Sequence, residues 1–538
     1  MDRHQLRTTT TDGMQANNKA PSLGEIGIES CPPSDEGDGA ARVNPPGTVL
    51  DDSDMHRMGK VQELKRNLRP VAALSFASVL QATWESNTEG LENGGLAGMC
   101  WSMIWTFVGF GFIIASLSEM ASMAPTSGGQ YHWVSEFSSP RYQKFLSYIT
   151  GWMSVLAWQA GAASGSFLTG TIIQGLITIR NPDYAPENWH GTLFVFAMIF
   201  IIYVFNVYAA DAMPVLNNLL MIFHMLSWCV ILIVLWAMAP HRSAKAVFTE
   251  WTNQGGWPMG VSVMIGQISA IYGSLSSDAT AHMSEEVSNA SRNVPLAISW
   301  GYFTNGIMAI ILLIAYLFSI PSVDDAINDP TGFPFLYVFR NAVSTPGVNG
   351  LTAIILIPVI FSNIFFNAST SRQTFAFARD RGLPFARWIA HVHPRRKIPV
   401  NAIALSCVIS CLLSLINIGS ETAFNAIISL NVAALMYTYI ISISCVAYRK
   451  IWHPETLPPC RWDMGSWGLP VNIIALVYSC FALFWALWPG SRHVTAENFN
   501  WSVVIFGGVF LISLGMYVVK GRREYTGPVV IVQGARED

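Results

Sequence analysis

Eleven stretches of this chain, each long enough to cross a bilayer, contain no Asp, Glu, Lys or Arg. They lie within 96–118, 145–179, 191–210, 212–240, 255–277, 293–323, 341–371, 398–420, 422–448, 464–491 and 498–519. A transmembrane helix needs about 20 predominantly apolar residues. A twelfth stretch, 70–91, is apolar but carries Glu85 and Glu89. Charged residues make up 12% of the chain, about half the share of a soluble domain. In lipid, every backbone polar group must be satisfied within its own segment, and runs of this length do that as helices. The pattern predicts an all-α membrane protein with twelve transmembrane helices, numbered here in chain order with 70–91 as span 1.

Charge placement orients them. Twelve spans put both termini on one side. The segments on that side from residue 56 onward hold 22 Lys and Arg, against 5 in the loops on the other side. Cytosolic loops carry the excess of basic residues, so both termini are expected in the cytosol and the plasma membrane is the first choice of location. Residues 1–55 are rich in Pro, Gly, Ser, Asp and Glu. They are expected to be disordered, since they cannot bury enough apolar surface to fold. Residues 56–69 read as a basic juxtamembrane collar that completes an N-terminal tail, 1–69. The twelve-helix domain is expected over 70–519 and a short cytosolic tail over 520–538. No cleavable signal peptide is visible. The basic residues form no tract for nucleic acid, and the eight cysteines show no metal or disulfide spacing.

The apolar pattern breaks at two places. The stretch Gly273–Pro295 begins in the uncharged run of span 6, passes Asp278 and the pair Glu285-Glu286, and ends where the next run starts. Small and hydroxylated residues crowd its beginning: Tyr272, Gly273, Ser274, Ser276 and Ser277. That concentration predicts an unwound segment at 272–277 whose freed backbone groups bind a ligand. A carboxylate this close to a broken span marks a functional position. Span 1 holds Ser75, Ser78, Gln81 and Thr83, then Trp84-Glu85. Glu85 is either solvated at the membrane interface or poised at the mouth of a cavity for a proton or a cation. Trp84 is either an interfacial belt residue or a face on which an ammonium group stacks. Spans 1 and 6 are five apart, the spacing of two inverted five-helix repeats whose first helices are broken at the site.

Two further spans are unusually polar. Span 3 carries Gly151, Gln159, Gly161, Ser164, Gly165 and Thr169; span 8 carries Asn363, Asn367, Ser369, Thr370 and Ser371. Both are expected to line a cavity, with hydrogen bonds between helices as the competing reading. His224 in span 5 reads as a core histidine rather than a proton relay. Glu119, at the end of span 2, is a gate or a plain interfacial charge. Glu285-Glu286 is expected to meet the basic segment 372–397, which starts at Arg372, and so to close the inner side.

Four of these stretches resemble the amino acid–polyamine–organocation superfamily, and more narrowly the fungal amino acid/choline (GABA permease-type) transporters. They are Met58–Asn67 before span 1, Ser118–Tyr131 after span 2, Asp278–Pro295 after the break in span 6, and Ser371–Pro384 at the end of span 8. With the twelve spans, the resemblance covers roughly residues 56–520. It implies a leucine-transporter-type fold: a five-plus-five inverted repeat with broken spans 1 and 6, and spans 11 and 12 outside it. It also implies a substrate held among spans 1, 3, 6, 8 and 10, and alternating access driven by protons more often than sodium. The family's Gly-rich break in span 1 is missing, because Phe76–Thr83 contains no glycine. Substrate would then be read by Gln81, Thr83, Trp84 and Glu85.

The expected substrate-binding set is thus Ser78, Gln81, Thr83, Trp84, Glu85, Gln159, Tyr272, Gly273, Ser274, Ser277 and Asn367. The expected coupling and gating set is Glu119, Asp278, Glu285, Glu286 and Arg372. The predicted partners are a small amino acid or amine such as GABA, choline or a polyamine, protons, and the lipid bilayer, with no cofactor or metal. A nutrient-sensing receptor on the same fold is the alternative. An enzyme is disfavoured, since the sequence holds no Gly-x-Ser-x-Gly, no phosphate loop and no metal cluster within the spans.

Overall fold

The computed structural model describes residues 48–80, 88–181, 183–185, 187–419, 423–496 and 498–528. Gln81, Thr83, Trp84 and Glu85 lie outside the described residues, as do residues 1–47 and 529–538. Nine described helices are long and apolar enough to cross a membrane: Gly95–Met123, Pro140–Arg180, Asn188–Tyr208, Ala210–Met238, Ala290–Phe318, Thr345–Arg379, Asn425–Trp452, Gly465–Ala486 and Ser502–Glu524. Pro70–Val79 and Val400–Ser414 are shorter apolar helices in the places of spans 1 and 9. Span 6 comes in pieces, Met259–Gly266, Ile268–Ser274 and Ala279–His282. The twelve spans are therefore present in the expected order.

Span 3, Pro140–Arg180, is the longest helix and packs against spans 4, 8, 9, 10 and 12. Its middle is buried around Trp158, whose ring lies 4.6 Å from that of His282 and 4.9 Å from that of Phe366. Spans 5 and 12 bury only 22% and 11% of their most apolar windows. Their outward apolar faces are what a lipid solvent requires. At the face opposite the termini, Asn93–Gly94 pairs antiparallel with Thr252–Asn253. Gly95 has φ +66°, and a Cβ there would lie 2.8 Å from the Thr252 amide nitrogen. Only glycine allows that approach without strain.

The first and last described segments meet the bundle at one face, called the terminal face here. The expectation of disorder to residue 55 fails for 48–55. Val49–Arg57 is a helix whose N-cap Thr48 and Asp51 form a capping box. The signature is the Thr-x-x-Asp spacing, in which each side chain satisfies the other residue's amide. Asp51 also accepts the amides of Asn289 and Ala290, both at 2.8 Å. Those amides open span 7, so one carboxylate caps two helices. An anion at a helix N-terminus is favoured by the dipole and by the unsatisfied N–H groups. The segment that follows lies alongside the end of span 6, where the Asn67 and Leu68 amides donate to the Glu286 carbonyl at 3.0 Å. At the other end of the chain, Tyr525 is fully buried and its hydroxyl lies 2.6 Å from that of Ser147.

Candidate functional site

The break in span 6 lies later than the composition suggests. Tyr272, Gly273 and Ser274 belong to the helix Ile268–Ser274, and the Ser274 hydroxyl donates to the Ala270 carbonyl one turn back. The backbone opens over Leu275–Asp278. Leu275 is extended, Ser276 has φ +75°, and a short helix resumes at Ala279. A serine in this region is strained, and such strain persists only where the surroundings enforce it.

A cavity of about 60 Å³ lies beside that opening. Val79 and Leu80 of span 1 and Gly161 and Gly165 of span 3 form one side. Tyr272 and Ser276 of span 6, Asn363 and Phe366 of span 8, Asn431 of span 10 and His224 of span 5 are among the others. The described lining carries no Asp, Glu, Lys or Arg. The Tyr272 hydroxyl is held 2.9 Å from that of Ser164, which sets its ring against the cavity. The two glycines admit the bulk of span 8: a Cβ at Gly165 would lie 2.6 Å from Asn363 Oδ1, and one at Gly161 would collide with the Phe366 ring.

Asp278 closes the break on its terminal-face side. Its side chain is 1% exposed. Its Oδ2 accepts from Gln130 Nε2 at 2.5 Å, and the Tyr439 hydroxyl of span 10 faces it as well. Among the described residues, no Lys, Arg or His forms an ion pair with it. A carboxylate buried without a cation is costly in its charged form.

Below Asp278 the terminal face is sealed by buried ion pairs. Arg379 Nη1 and Nη2 reach Glu285 Oε2 and Oε1 at 3.0 and 2.9 Å. Arg372 Nε reaches Glu286 Oε1 at 2.7 Å. Lys60 lies 2.5 Å from Asp380 Oδ1, and the Tyr131 hydroxyl donates to Asp380 Oδ2 at 3.0 Å. Burial alone would raise the Glu285 carboxyl. The Arg379 charge and hydrogen bonds, with Lys60 and the Ser127 amide, instead hold it below the ordinary carboxylate value. Asp51 is held low in the same way: burial opposes ionisation, and the Ala290 and Asn289 amides and Arg66 outweigh it. Arg372 and Arg379 belong to the helical end of span 8 rather than to a loop. Glu119 pairs with Lys450 of span 10 at the same face.

The expected binding residues are not all brought to the cavity. Tyr272 lines it. Gly273, Ser274 and Ser277 are buried next to the lining without being part of it. Ser78 sits in the last turn of Pro70–Val79, and its carbonyl accepts from Asn305 at 2.5 Å. Asn367 is buried beside the lining residues Asn363 and Phe366. Gln159 points elsewhere, donating to Thr374 at 3.1 Å and Ser406 at 2.9 Å. It precedes Gly161 by two residues, which turns it about 200° around the helix from the cavity face. Residues outside the expected binding set take its place. His224 lines the cavity instead of standing in the core, and Ser276 and Asn431 join it. Gln130 reaches Asp278 from outside the spans.

The comparisons agree with this architecture. The chain is similar to a manganese transporter of Eremococcus coleocola, solved with an aromatic bis-isothiourea compound. The TM-score is 0.53 at 14% identity, covering 90% of this chain and 98% of the other. That likeness bears on the fold alone, and the fold is the leucine-transporter type, with twelve helices in a five-plus-five inverted repeat. In sequence, the chain is 27% identical over 416 residues to a putative amino acid/polyamine transporter of Macrophomina phaseolina, covering 77% of this chain and 92% of the relative. It is 26% identical over 488 residues to a choline transporter of Saccharomyces cerevisiae, covering 89% and 84%. It is 27% identical over 508 residues to an amino-acid permease of Arabidopsis thaliana, covering 88% and 95%. Residues 68–510 match the amino acid permease family, whose members are transporters and not enzymes. The chain belongs to the amino acid permease family.

Proposed function

We propose that this protein is a secondary active transporter that imports a small amino acid or amine, of the class of GABA, choline or a polyamine, by proton symport and alternating access. The observation that carries this reading is the position of Asp278, a buried carboxylate with no cation paired to it among the described residues, between the cavity and the sealed terminal face. Substrate sits in the cavity at the span 6 break, and Gln81, Thr83, Trp84 and Glu85, which come next in sequence after the lining residue Leu80, take part in reading it. Asp278 takes up the proton; desolvation favours its neutral form. Glu285–Arg379, Glu286–Arg372 and Glu119–Lys450 form the inner gate. The charge bias supports cytosolic termini, and the plasma membrane is the compartment where import has its use. Residues 70–519 are the transport domain between the tails 1–69 and 520–538. Protons are favoured over sodium because a buried carboxylate able to take one up, Asp278, borders the span 6 break.

The test is uptake of radiolabelled amino acids, choline and polyamines by a transport-deficient host expressing the chain. The reading predicts concentrative, acid-stimulated uptake of one of these classes. Saturable binding without net uptake in reconstituted vesicles would contradict it and indicate a receptor.

A further inference from the structure

One short turn touches both Asp278 and the seal below it. It runs from Thr126 to Tyr131, between span 2 and the helix Gln130–Phe137. Gln130 donates to Asp278 at 2.5 Å. Three residues earlier, the Ser127 amide donates to Glu285 Oε1 at 3.3 Å, and the Ser127 carbonyl lies 2.9 Å from His282 Nδ1. One residue later, the Tyr131 hydroxyl donates to Asp380. The turn has little freedom of its own. Gly129 has φ +54°, and a Cβ there would lie 2.5 Å from the His282 ring. The Trp133 indole N–H ties the turn to the Ala124 carbonyl at 2.9 Å.

We infer that Gln130 is a positioning residue that makes the terminal seal depend on the proton carried by Asp278. The inference rests on the proposed role of Asp278 as the coupling carboxylate. With Asp278 ionised, the Gln130 amide makes a charge-assisted hydrogen bond, about twice as strong as a neutral one. That bond pulls the turn toward span 6 and holds the Ser127 amide on Glu285 and the Tyr131 hydroxyl on Asp380. When Asp278 accepts a proton from the cavity side, the bond loses its charge assistance. The turn moves as one body, and both of its contacts to the seal weaken together. Loss of the proton to the terminal face restores the bond and closes the seal. The groups that face Asp278 are the Gln130 amide from the turn and the Tyr439 phenol from span 10. His282 lies one turn on in its own element, and Glu285, with Arg379 and Lys60, lies at the seal.

The experiment reads opening of the seal without needing the substrate. Ser284 is fully buried at the seal and takes a near-isosteric cysteine. In full-length Ser284→Cys protein in membranes, the rate at which a membrane-impermeant maleimide modifies position 284 is followed by peptide mass spectrometry. Rates are divided by the rate in denaturant at the same pH. The parent should label slowly at about pH 7.5 and about tenfold faster at about pH 5, as a shift between two states requires. Gln130→Leu and Gln130→Glu should label fast at both values, and so should Asp278→Asn. Buried Cys100 in span 2 is the folding control and should stay protected in every variant. If the Leu variant exposes Cys100, the Glu variant decides. If Asp278→Asn labels like the parent, the role of Asp278 fails. If Asp278→Asn labels fast while the folded Gln130 variants keep the parent's slow, pH-dependent rate, the inference about Gln130 fails alone.

Discussion

Arg379 meets both carboxylate oxygens of Glu285, at 2.9 and 3.0 Å, across 94 residues of sequence. The Glu285 side chain is fully buried and that of Arg379 is 14% exposed. Removing one partner leaves a buried charge unpaired, at a cost of about 3–5 kcal/mol. Arg379→Met should therefore lower the melting temperature of the detergent-solubilised protein markedly. The double variant Glu285→Gln/Arg379→Met should recover part of the loss. Thermal unfolding of the four proteins checks the coupling; additive losses would contradict it.

The pH dependence of that pair has a definite sign. The Glu285 carboxyl is held below its ordinary value of 4.5. Its contribution is fully present above the unfolded value and is lost only as pH falls through the lower, folded value. The melting-temperature gap between wild type and Glu285→Gln should thus be the same at about pH 7 as at about pH 5, and should narrow only well below the ordinary carboxylate range. Acid stimulation of transport in the milder window must then come from another group. A gap that closes between these two values would contradict the assignment.

Asp51 should behave as a cap as well as a charge. Asp51→Ala removes acceptors from the Thr48 amide and from the Asn289 and Ala290 amides. Losing a helix cap costs about 1 kcal/mol, and up to about 2. The expected result is a modest fall in melting temperature and faster proteolysis between residues 48 and 69, with Asp51→Asn intermediate. Unchanged proteolysis would show that the segment is held by its other contacts.

Cavity size is set by the glycines of span 3. Gly165→Ala puts a methyl group 2.6 Å from Asn363 Oδ1, so span 8 must shift or the cavity must shrink. Competition assays should show the KM for the bulkiest accepted substrate rising about tenfold, the effect of a misfit of roughly 1.4 kcal/mol. The smallest substrate should be affected less. Equal effects on all substrates would place the defect elsewhere.

The spans were legible because lipid forbids unpaired charge, and runs without charge announce themselves. The ion pairs at the terminal face were legible for a related reason: Glu285-Glu286 needs cations, and Arg372 and Arg379 lie in the strongly basic segment 372–397. What escaped is directional. Gln159 reads as polar and central, but Gly161 and Gly165, four apart, mark the cavity face and Gln159 points away from it. Tyr272 to Ser274 look like helix breakers, yet the helix holds because the Ser274 hydroxyl satisfies its own preceding turn. The strain falls instead on Ser276. His224 carries no sequence signal for its orientation, since one histidine in an apolar run fits a core and a cavity equally well. The helix at 49–57 was signalled by Thr48 and Asp51 at capping-box spacing, inside a stretch whose composition otherwise suggests disorder.

As the proposed coupling carboxylate, Asp278 should tie substrate movement to protons. The most direct measurement is accumulation of the transported compound by proteoliposomes under an imposed pH gradient, compared with exchange at equal pH, for wild type and Asp278→Asn. Asp278→Asn should retain exchange but lose gradient-driven accumulation. Accumulation by Asp278→Asn at the wild-type level, with the same response to the gradient, would contradict it.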